Sequence, residues 1–443
     1  MANIYFISLG CDKNRVDAEI MAERLINAGH TITDDIASAD CAIVNTCGFI
    51  ESAKQEAIDN IFDMVRAKEN GDIKAIIVTG CLAERYREQL RQEIPECDAV
   101  LGLAANCNIV AAVERALGGE CFNMFCGGPE DLIIEGKRAL STPQHYAYLK
   151  IAEGCSNHCT YCAIPGIRGR YRSRAMENIV KEAKELAARG VRELILIAQD
   201  TTSYGSDLAN GENLVSLLRE LIKIDALWKI RILYAYPERL TDELIDLIAN
   251  EPKIAKYLDL PMQHANRSVL HRMGRGASGD ENLALIEKLR CAVPNITLRS
   301  TFIVGFPGET EQEFDELMEF ISKAQLDRAG CFAYSAEEGT PAARMKDQLD
   351  DETKQHRAQL FTESQTAIML RRLDMAVGTT VEAICDGYDD STGMFACRSD
   401  SDAPEVDSCI YVPAEQDLMP GEIYKLVITA ADGDTLLADV VQD

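Results

Sequence analysis

The sequence predicts a multidomain α/β chain. It reads as an N-terminal parallel α/β sheet domain over 1–120 and a connector at 121–140. A partial (β/α)6 barrel of TIM-like type follows over 141–370, then a small five-stranded antiparallel β-barrel of OB-like type over 371–443. Three observations predict it. Short apolar runs alternate with helical patterns from the start of the chain, the signature of βαβ units and a parallel sheet. The same rhythm begins again near Tyr146 and repeats through six units. After Arg371 and Arg372 it gives way to short β-like runs separated by Asp-Gly and Pro-Gly turns. A length of 443 residues suits about three domains, and 47% apolar residues suffice for a core in each.

In the first domain, strands are read at 4–9, 41–45 and 75–79, and helices at 17–28 and 51–68. Each strand runs directly into a cysteine: Leu-Gly-Cys11, Asn-Thr-Cys47-Gly and Thr-Gly-Cys81. Open α/β sheets bind ligands at the carboxyl edge of their strands, so these three thiols are expected to converge there. Their glycine neighbours permit close backbone approach. The alternative is burial as small hydrophobes, the reading given to Cys41, Cys97 and Cys107. The run 121–129 is turn-rich, and Cys121 and Cys126 read as incidental rather than as a metal pair.

In the second domain, strands are read at 148–152, 193–198, 231–234, 257–260, 297–304 and 330–334, and helices at 176–188, 214–224, 242–248, 282–291 and 311–324. The first strand leads to Glu-Gly-Cys155-Ser-Asn-His-Cys159-Thr-Tyr-Cys162. This C-x3-C-x2-C run falls at the mouth where barrel enzymes keep their chemistry. Full protein ligation of a four-iron cluster takes four cysteines, so three leave one iron open. The spacing is typical of radical S-adenosylmethionine (SAM) enzymes, in which the open iron binds SAM. A Cys3His zinc site using His158 is the competing reading. Disulfides are disfavoured. No secretory signal is expected from the opening residues, no apolar stretch is long enough to span a membrane, and sixteen cysteines in a chain read as cytoplasmic point to metal or catalysis.

Tyr161, Gln199, Gly305 and Pro307 are the candidate SAM contacts. The last two lie in Gly-Phe-Pro-Gly after the fifth strand, a wall for the adenine. Arg168, Arg170, Arg172 and Arg174 alternate, so in an extended segment they would share one edge. That edge is either a substrate or SAM-carboxylate site or a solvated surface. His264 and His271 read as structural, and Trp228 as packing.

A net charge of −27 argues against generic nucleic-acid binding and favours basic partners. In the final domain, strands are read at 379–385, 394–398, 409–412, 423–428 and 435–439, and four basic side chains face sixteen acidic ones. Docking on a basic protein surface is expected, with tRNA disfavoured and binding weakened by salt. Reversal of Asp400, Asp402, Glu405 and Asp407 to Lys is expected to weaken it without changing cluster content.

These segments together resemble the methylthiotransferase family over nearly the whole chain. The likeness is carried by Ser-Leu-Gly-Cys11-Asp-Lys-Asn-Arg-Val-Asp, Asn-Thr-Cys47-Gly-Phe-Ile, Thr-Gly-Cys81-Leu, and Glu-Gly-Cys155 through Cys162-Ala-Ile-Pro-Gly-Ile-Arg-Gly. Ile-Ala-Gln-Asp-Thr-Thr (197–202), Leu-Tyr-Ala-Tyr-Pro-Glu (233–238) and Tyr-Ser-Ala-Glu-Glu-Gly-Thr-Pro-Ala (334–342) continue it. The resemblance implies a methylthiotransferase domain, a radical SAM core and a C-terminal TRAM domain. It is nearest to the type that modifies ribosomal protein. The implied substrate is an aspartate of the twelfth small-subunit ribosomal protein, free or on the ribosome, which receives a methylthio group on its β-carbon. Two 4Fe–4S clusters are implied: a SAM-cleaving one on Cys155, Cys159 and Cys162, and an auxiliary, sulfur-carrying one on Cys11, Cys47 and Cys81. Two SAM molecules serve each turnover, one to methylate the sulfur and one to yield a 5′-deoxyadenosyl radical. An electron donor such as flavodoxin or ferredoxin is implied, whereas the sulfur donor and any catalytic residue beyond the clusters are not. A tRNA-adenosine methylthiotransferase is the alternative. It is opposed by the acidic final domain and by Leu-Gly-Cys-Asp-Lys-Asn, where the tRNA enzymes tend to show Tyr-Gly-Cys-Gln-Met-Asn. A non-catalytic iron–sulfur or zinc protein on an RNA-binding scaffold is the alternative of another class.

Overall fold

The computed structural model describes residues 1–132 and 134–441. The first domain comprises β1 (Asn3–Ser8), α1 (Asp12–Asn27), β2 (Thr31–Thr33), β3 (Cys41–Thr46), α2 (Glu51–Asn70), β4 (Ala75–Gly80), α3 (Cys81–Glu93), β5 (Ala99–Leu101), α4 (Ile109–Leu117) and β6 (Phe122–Met124). Its six strands are parallel, in the order β2-β1-β3-β4-β5-β6. The central strands β3 and β4 are buried throughout, as strands covered on both faces must be. Ala42, Val44, Ile76 and Val78 pack on α2; Ile43 and Ile77 face α1 and α4. Strands β2, β5 and β6 have three residues each, too short to show a period in the sequence. Phe122–Met124, inside the turn-rich run, forms the sheet's edge.

The second domain runs β7 (Tyr146–Lys150), β8 (Ala152–Glu153), α5 (Ile164–Arg168), β9 (Arg172–Ser173), α6 (Met176–Ala188), β10 (Glu193–Ile197), α7 (Leu214–Leu221), β11 (Lys229–Ile232), α8 (Asp242–Asn250), β12 (Ile254–Asp259), α9 (Arg267–Arg272), α10 (Gly279–Ala292), β13 (Thr297–Val304), α11 (Glu311–Ala324), β14 (Arg328–Ala333) and α12 (Asp351–Ala376). Strands β7, β10, β11, β12, β13 and β14 pair in sequence order, all parallel, into a six-stranded open barrel. Its outer face and its helices share one large core. Its lumen is filled by Tyr146, Tyr148, Ile195, Ile197 and Tyr257, together with Val16 and Ile20 of α1 and Ala403 of the last domain. The sequence reading has no counterpart to α12. Charged residues surround this 26-residue helix, and it is held by specific contacts: Phe361 against Phe302 (ring centroids 5.1 Å apart) and Gln365 Nε2 donating to the Leu326 carbonyl at 2.9 Å.

The last domain closes β15 (Thr380–Asp389), β16 (Met394–Arg398), β17 (Ile410–Pro413), β18 (Ile423–Asp432) and β19 (Thr435–Val440) into a barrel. Four pairings are antiparallel, but β17 and β19 run parallel. The wholly antiparallel expectation cannot hold in a closed ring of five, because an odd number of strands requires one parallel neighbour.

The loop after β16 plugs the floor of the large barrel. Arg398 donates to Glu193 at 2.6 Å, and Arg231 donates to Glu193 at 2.9 Å and to the carbonyls of Ser399 and Asp400. The four acids expected on a docking surface are spent here. Asp400 pairs with Lys229, Asp402 with Arg328, and Glu405 with Arg15 and Tyr146; Asp407 accepts from the Tyr257 hydroxyl. Reversing them would put cations against cations at the barrel floor, so that expectation is corrected: the change would undock the domain. Burial alone would raise the carboxyls of Glu193 and Asp386. The guanidinium charges of Arg398 and Arg231 around Glu193, and His145 with Arg398 around Asp386, outweigh burial and hold both below their ordinary values of 4.5 and 3.8. Depressed carboxyls stabilise above their unfolded values and lose that contribution as pH falls through the folded ones. Acidification below about pH 4 is therefore expected to release the last domain first. Limited proteolysis near Gly378 across pH 3–6 measures this, and cleavage independent of pH would contradict it.

Candidate active site

Cys155 begins a loop that leaves the barrel mouth between β8 and α5. Gly154 sits at φ +72°, and a Cβ there would lie 2.1 Å from the Arg170 carbonyl, so only glycine fits the turn. The loop is pinned throughout. Cys155 N donates to Gly169 O (3.1 Å), Cys162 N to Cys159 O (3.1 Å) and Thr160 N to Met273 O (2.9 Å). The backbone N–H of Asn157 points at Cys155 Sγ (3.4 Å), and the Tyr236 hydroxyl lies 3.5 Å from Cys159 Sγ. Asp200 accepts from Asn157 Nδ2 and so steadies the loop from the end of β10.

The three cysteines line a cavity of about 150 Å3 with Tyr161, Gln199, Tyr234, Tyr236, Gln263, Arg275 and, from the first domain, Phe49. Burial raises the Cys155 thiol and pushes Cys162 up to about 12. Among the described residues, no three His, Cys, Asp or Glu side chains close on one ion-sized position. His158 is exposed on an outer groove that it lines together with Cys159 and Cys162, and it closes no Cys3His set on an ion-sized position. Three thiols around a cavity wider than an ion fit a polynuclear cluster.

The second set forms at the carboxyl edge of the first sheet. Cys11 is the residue before α1, Cys47 follows β3, and Cys81 opens α3 directly after β4. Glycines bring them together. A Cβ on Gly10 would lie 2.9 Å from Cys47 Sγ, one on Gly48 2.8 Å from Leu82 backbone, and one on Gly80 2.4 Å from Thr46 O. Burial, and then the charge of Cys11, raises Cys47; burial pushes Cys81 up to about 12. The donor set of three thiols again fits a cluster rather than a single ion, since among the described residues no group of three closes on an ion-sized position.

Arg168 lies beside this second set, fully buried. It donates to Glu153 (2.9 Å), Asp17 (3.0 Å) and Asn14 Oδ1, while Lys150 holds the same Asp17 and Glu153. Burial would disfavour its charge, but the Cys81, Glu153 and Asp17 side chains keep it protonated. Of these interdomain residues the sequence reading singled out only Arg168, as part of a basic edge; Asn14, Asp17 and Glu153 escaped it, although all four lie in the motifs that carry the family likeness. The expected shared edge of arginines does not form, because Arg168 ends a helix. Arg170 is 88% exposed, Arg172 donates to the Arg170 and Pro129 carbonyls, and Arg174 is buried against Glu182.

Tyr161 and Gln199 line the cavity, but Gly305 and Pro307 are not among its lining residues. A Cβ on Gly305 would lie 2.4 Å from the Lys354 side chain, so its open side is taken by α12. His264 is buried with Nε2 3.5 Å from Glu309. Cys41 and Cys97 are buried and Cys107 half-buried; Cys121 and Cys126 are exposed. No described helix is long and apolar enough to cross a membrane.

Tyr234 lies between the two cysteine sets. It lines the cavity of the barrel cysteines, and its hydroxyl donates to Asp12, next to Cys11, at 2.8 Å.

Comparison with known proteins agrees with this layout. The radical SAM superfamily matches residues 149–321, the uncharacterized protein family UPF0004 residues 3–102, and the TRAM domain residues 377–441. The fold is similar to that of the radical SAM methyltransferase TsrM from Kitasatospora setae (TM-score 0.54, 13% identity, 75% of this chain and 73% of that one). It is also similar to the cobalamin-dependent SAM radical enzyme OxsB (TM-score 0.52, 14% identity, 81% and 56%). Ribosomal protein uS12 methylthiotransferase RimO of Lachnoclostridium phytofermentans is 46% identical over 97% of both chains. That of Desulforamulus reducens is 47% identical over 100% of both. With such identity along its whole length, the chain belongs to the RimO family of radical SAM methylthiotransferases.

Proposed function

We propose that this enzyme adds a methylthio group to the β-carbon of an aspartate in ribosomal protein uS12. Membership of the radical SAM superfamily implies SAM and a 4Fe–4S cluster. In this reading Cys155, Cys159 and Cys162 hold that cluster, and Cys11, Cys47 and Cys81 hold a second that presents the sulfur. The observation that carries the reading is the pair of three-cysteine sets, each one ligand short of four, on either side of Tyr234. Bound there, such groups would supply a radical able to break an unactivated C–H bond and a sulfur to replace the hydrogen. The chain's own residues shape the space. Phe49, Tyr234 and Tyr236 wall the cavity with aromatic surface. Arg275 stacks 3.7 Å over Tyr236 and fixes it beside Cys159.

The uS12 substrate, rather than tRNA, is supported by the acids that stay exposed on the last domain, among them Glu382, Asp390, Glu415, Asp417, Asp432 and Asp434. They would repel phosphate and attract a basic protein. An external electron donor such as flavodoxin or ferredoxin completes the reading. Changing Cys155, Cys159 and Cys162 together to Ala is expected to leave about half of the iron, held by the other set. Iron and zinc analysis after anaerobic purification tests this, and iron near zero with the fold intact would remove the second site.

A further inference from the structure

We propose that Lys13 binds the carboxylate of the target aspartate. This deepens, and rests on, the uS12 reading above. Lys13 is 4% exposed. Every other buried lysine or arginine among the described residues meets a carboxylate within 4 Å. Lys13 alone has neither an ion-pair nor a hydrogen-bond partner there; its ammonium meets the face of Tyr234, 3.3 Å from the ring centroid. An unpaired buried charge is costly, and a cation–π contact recovers only part of the loss. Neither neighbouring acid closes a contact with it: Asp12 accepts from the Tyr234 hydroxyl, and Asp259, which feels the charge of Lys13, lies 3.5 Å from Arg299 with its Oδ1 in no hydrogen bond.

Its place in the fold identifies the missing partner as an anion of the substrate. Lys13 is two residues beyond Cys11 and stacks on Tyr234, which lines the cavity of the barrel cysteines. It therefore lies between the two cysteine sets. In an aspartate the carboxylate carbon is bonded directly to the β-carbon. An ammonium that anchors the carboxylate holds the β-carbon one bond away, between the sets. Lys13 acts in this way as a specificity-determining residue for an acidic side chain, binding through charge-assisted hydrogen bonds.

The test uses the cluster-loaded full chain and its K13M and K13R variants. Each is titrated with uS12 and with uS12 carrying Asn in place of the target aspartate, alongside iron analysis and the KM for uS12. Wild type is expected to prefer the aspartate form by about 10-fold or more. K13M should bind both forms alike, with KM raised to match and iron unchanged, and K13R should recover part of the preference. A preference retained by K13M overturns the proposal. Iron lost from K13M also overturns it, because the cation then serves the cluster. Wild type that neither binds nor modifies uS12 overturns the reading beneath, and this proposal with it.

Discussion

Enzyme carrying Cys11→Ala, Cys47→Ala and Cys81→Ala together is expected to lose methylthio transfer entirely yet still form 5′-deoxyadenosine from SAM. The two cysteine sets stand on different elements: one on the strand ends of the first sheet, the other on the loop at the barrel mouth. Removing the first set leaves the 154–163 loop, its backbone hydrogen bonds to Gly169 and Met273, and its cavity untouched. The lost side chains are small, and none of them belongs to that loop. Measured together, iron content, 5′-deoxyadenosine and modified product separate the roles. Loss of 5′-deoxyadenosine while the barrel cluster is still present would contradict the division of labour.

The largest stability effect is expected at Arg168. Asp17, Lys150, Glu153 and Arg168 form a four-membered ion network with side chains at most 2% exposed, joining α1 to β7, β8 and α5. Arg168→Met would leave two carboxylates against one cation in a buried setting. Breaking such a network by removing one partner costs about 3–5 kcal/mol. Arg170→Met, two residues along in the same basic run, removes a side chain that is 88% exposed and 3.9 Å from Glu130. It should fall within roughly 0.5 kcal/mol of wild type. Denaturant unfolding of both variants checks the contrast, and equal losses would mean the network holds little. The Arg168 variant should also lose the iron of the first-sheet set preferentially, because its charge faces Cys81 and Cys11.

The contrast between these two arginines shows what the sequence could and could not reveal. Spacing places the cysteines well, because a strand end is a fixed point in a parallel sheet and a glycine beside it has few other uses. Fold class is equally legible in the apolar runs that open β3 and β4 and in the alternation of strands and helices. Charge is not. Arg168 and Arg170 look alike in a run, and so do Asp402 and Asp434, but their partners are far away in sequence. Asp402 meets Arg328 across a domain boundary that no local pattern marks. For the same reason nothing local in the sequence marks Lys13 as buried; that follows only from the packing of α1 on the barrel. Gly305 shows the converse error: its glycine serves the approach of α12, a helix whose even charge distribution hid it.

The most direct measurement is anaerobic incubation of the cluster-loaded enzyme with SAM and reductant, in parallel with uS12 and with bulk tRNA, followed by mass spectrometry of both. The prediction is that uS12 gains the mass of one methylthio group, located by fragmentation on a single aspartate, with tRNA unchanged. A methylthio group on tRNA adenosine and none on uS12 would contradict it.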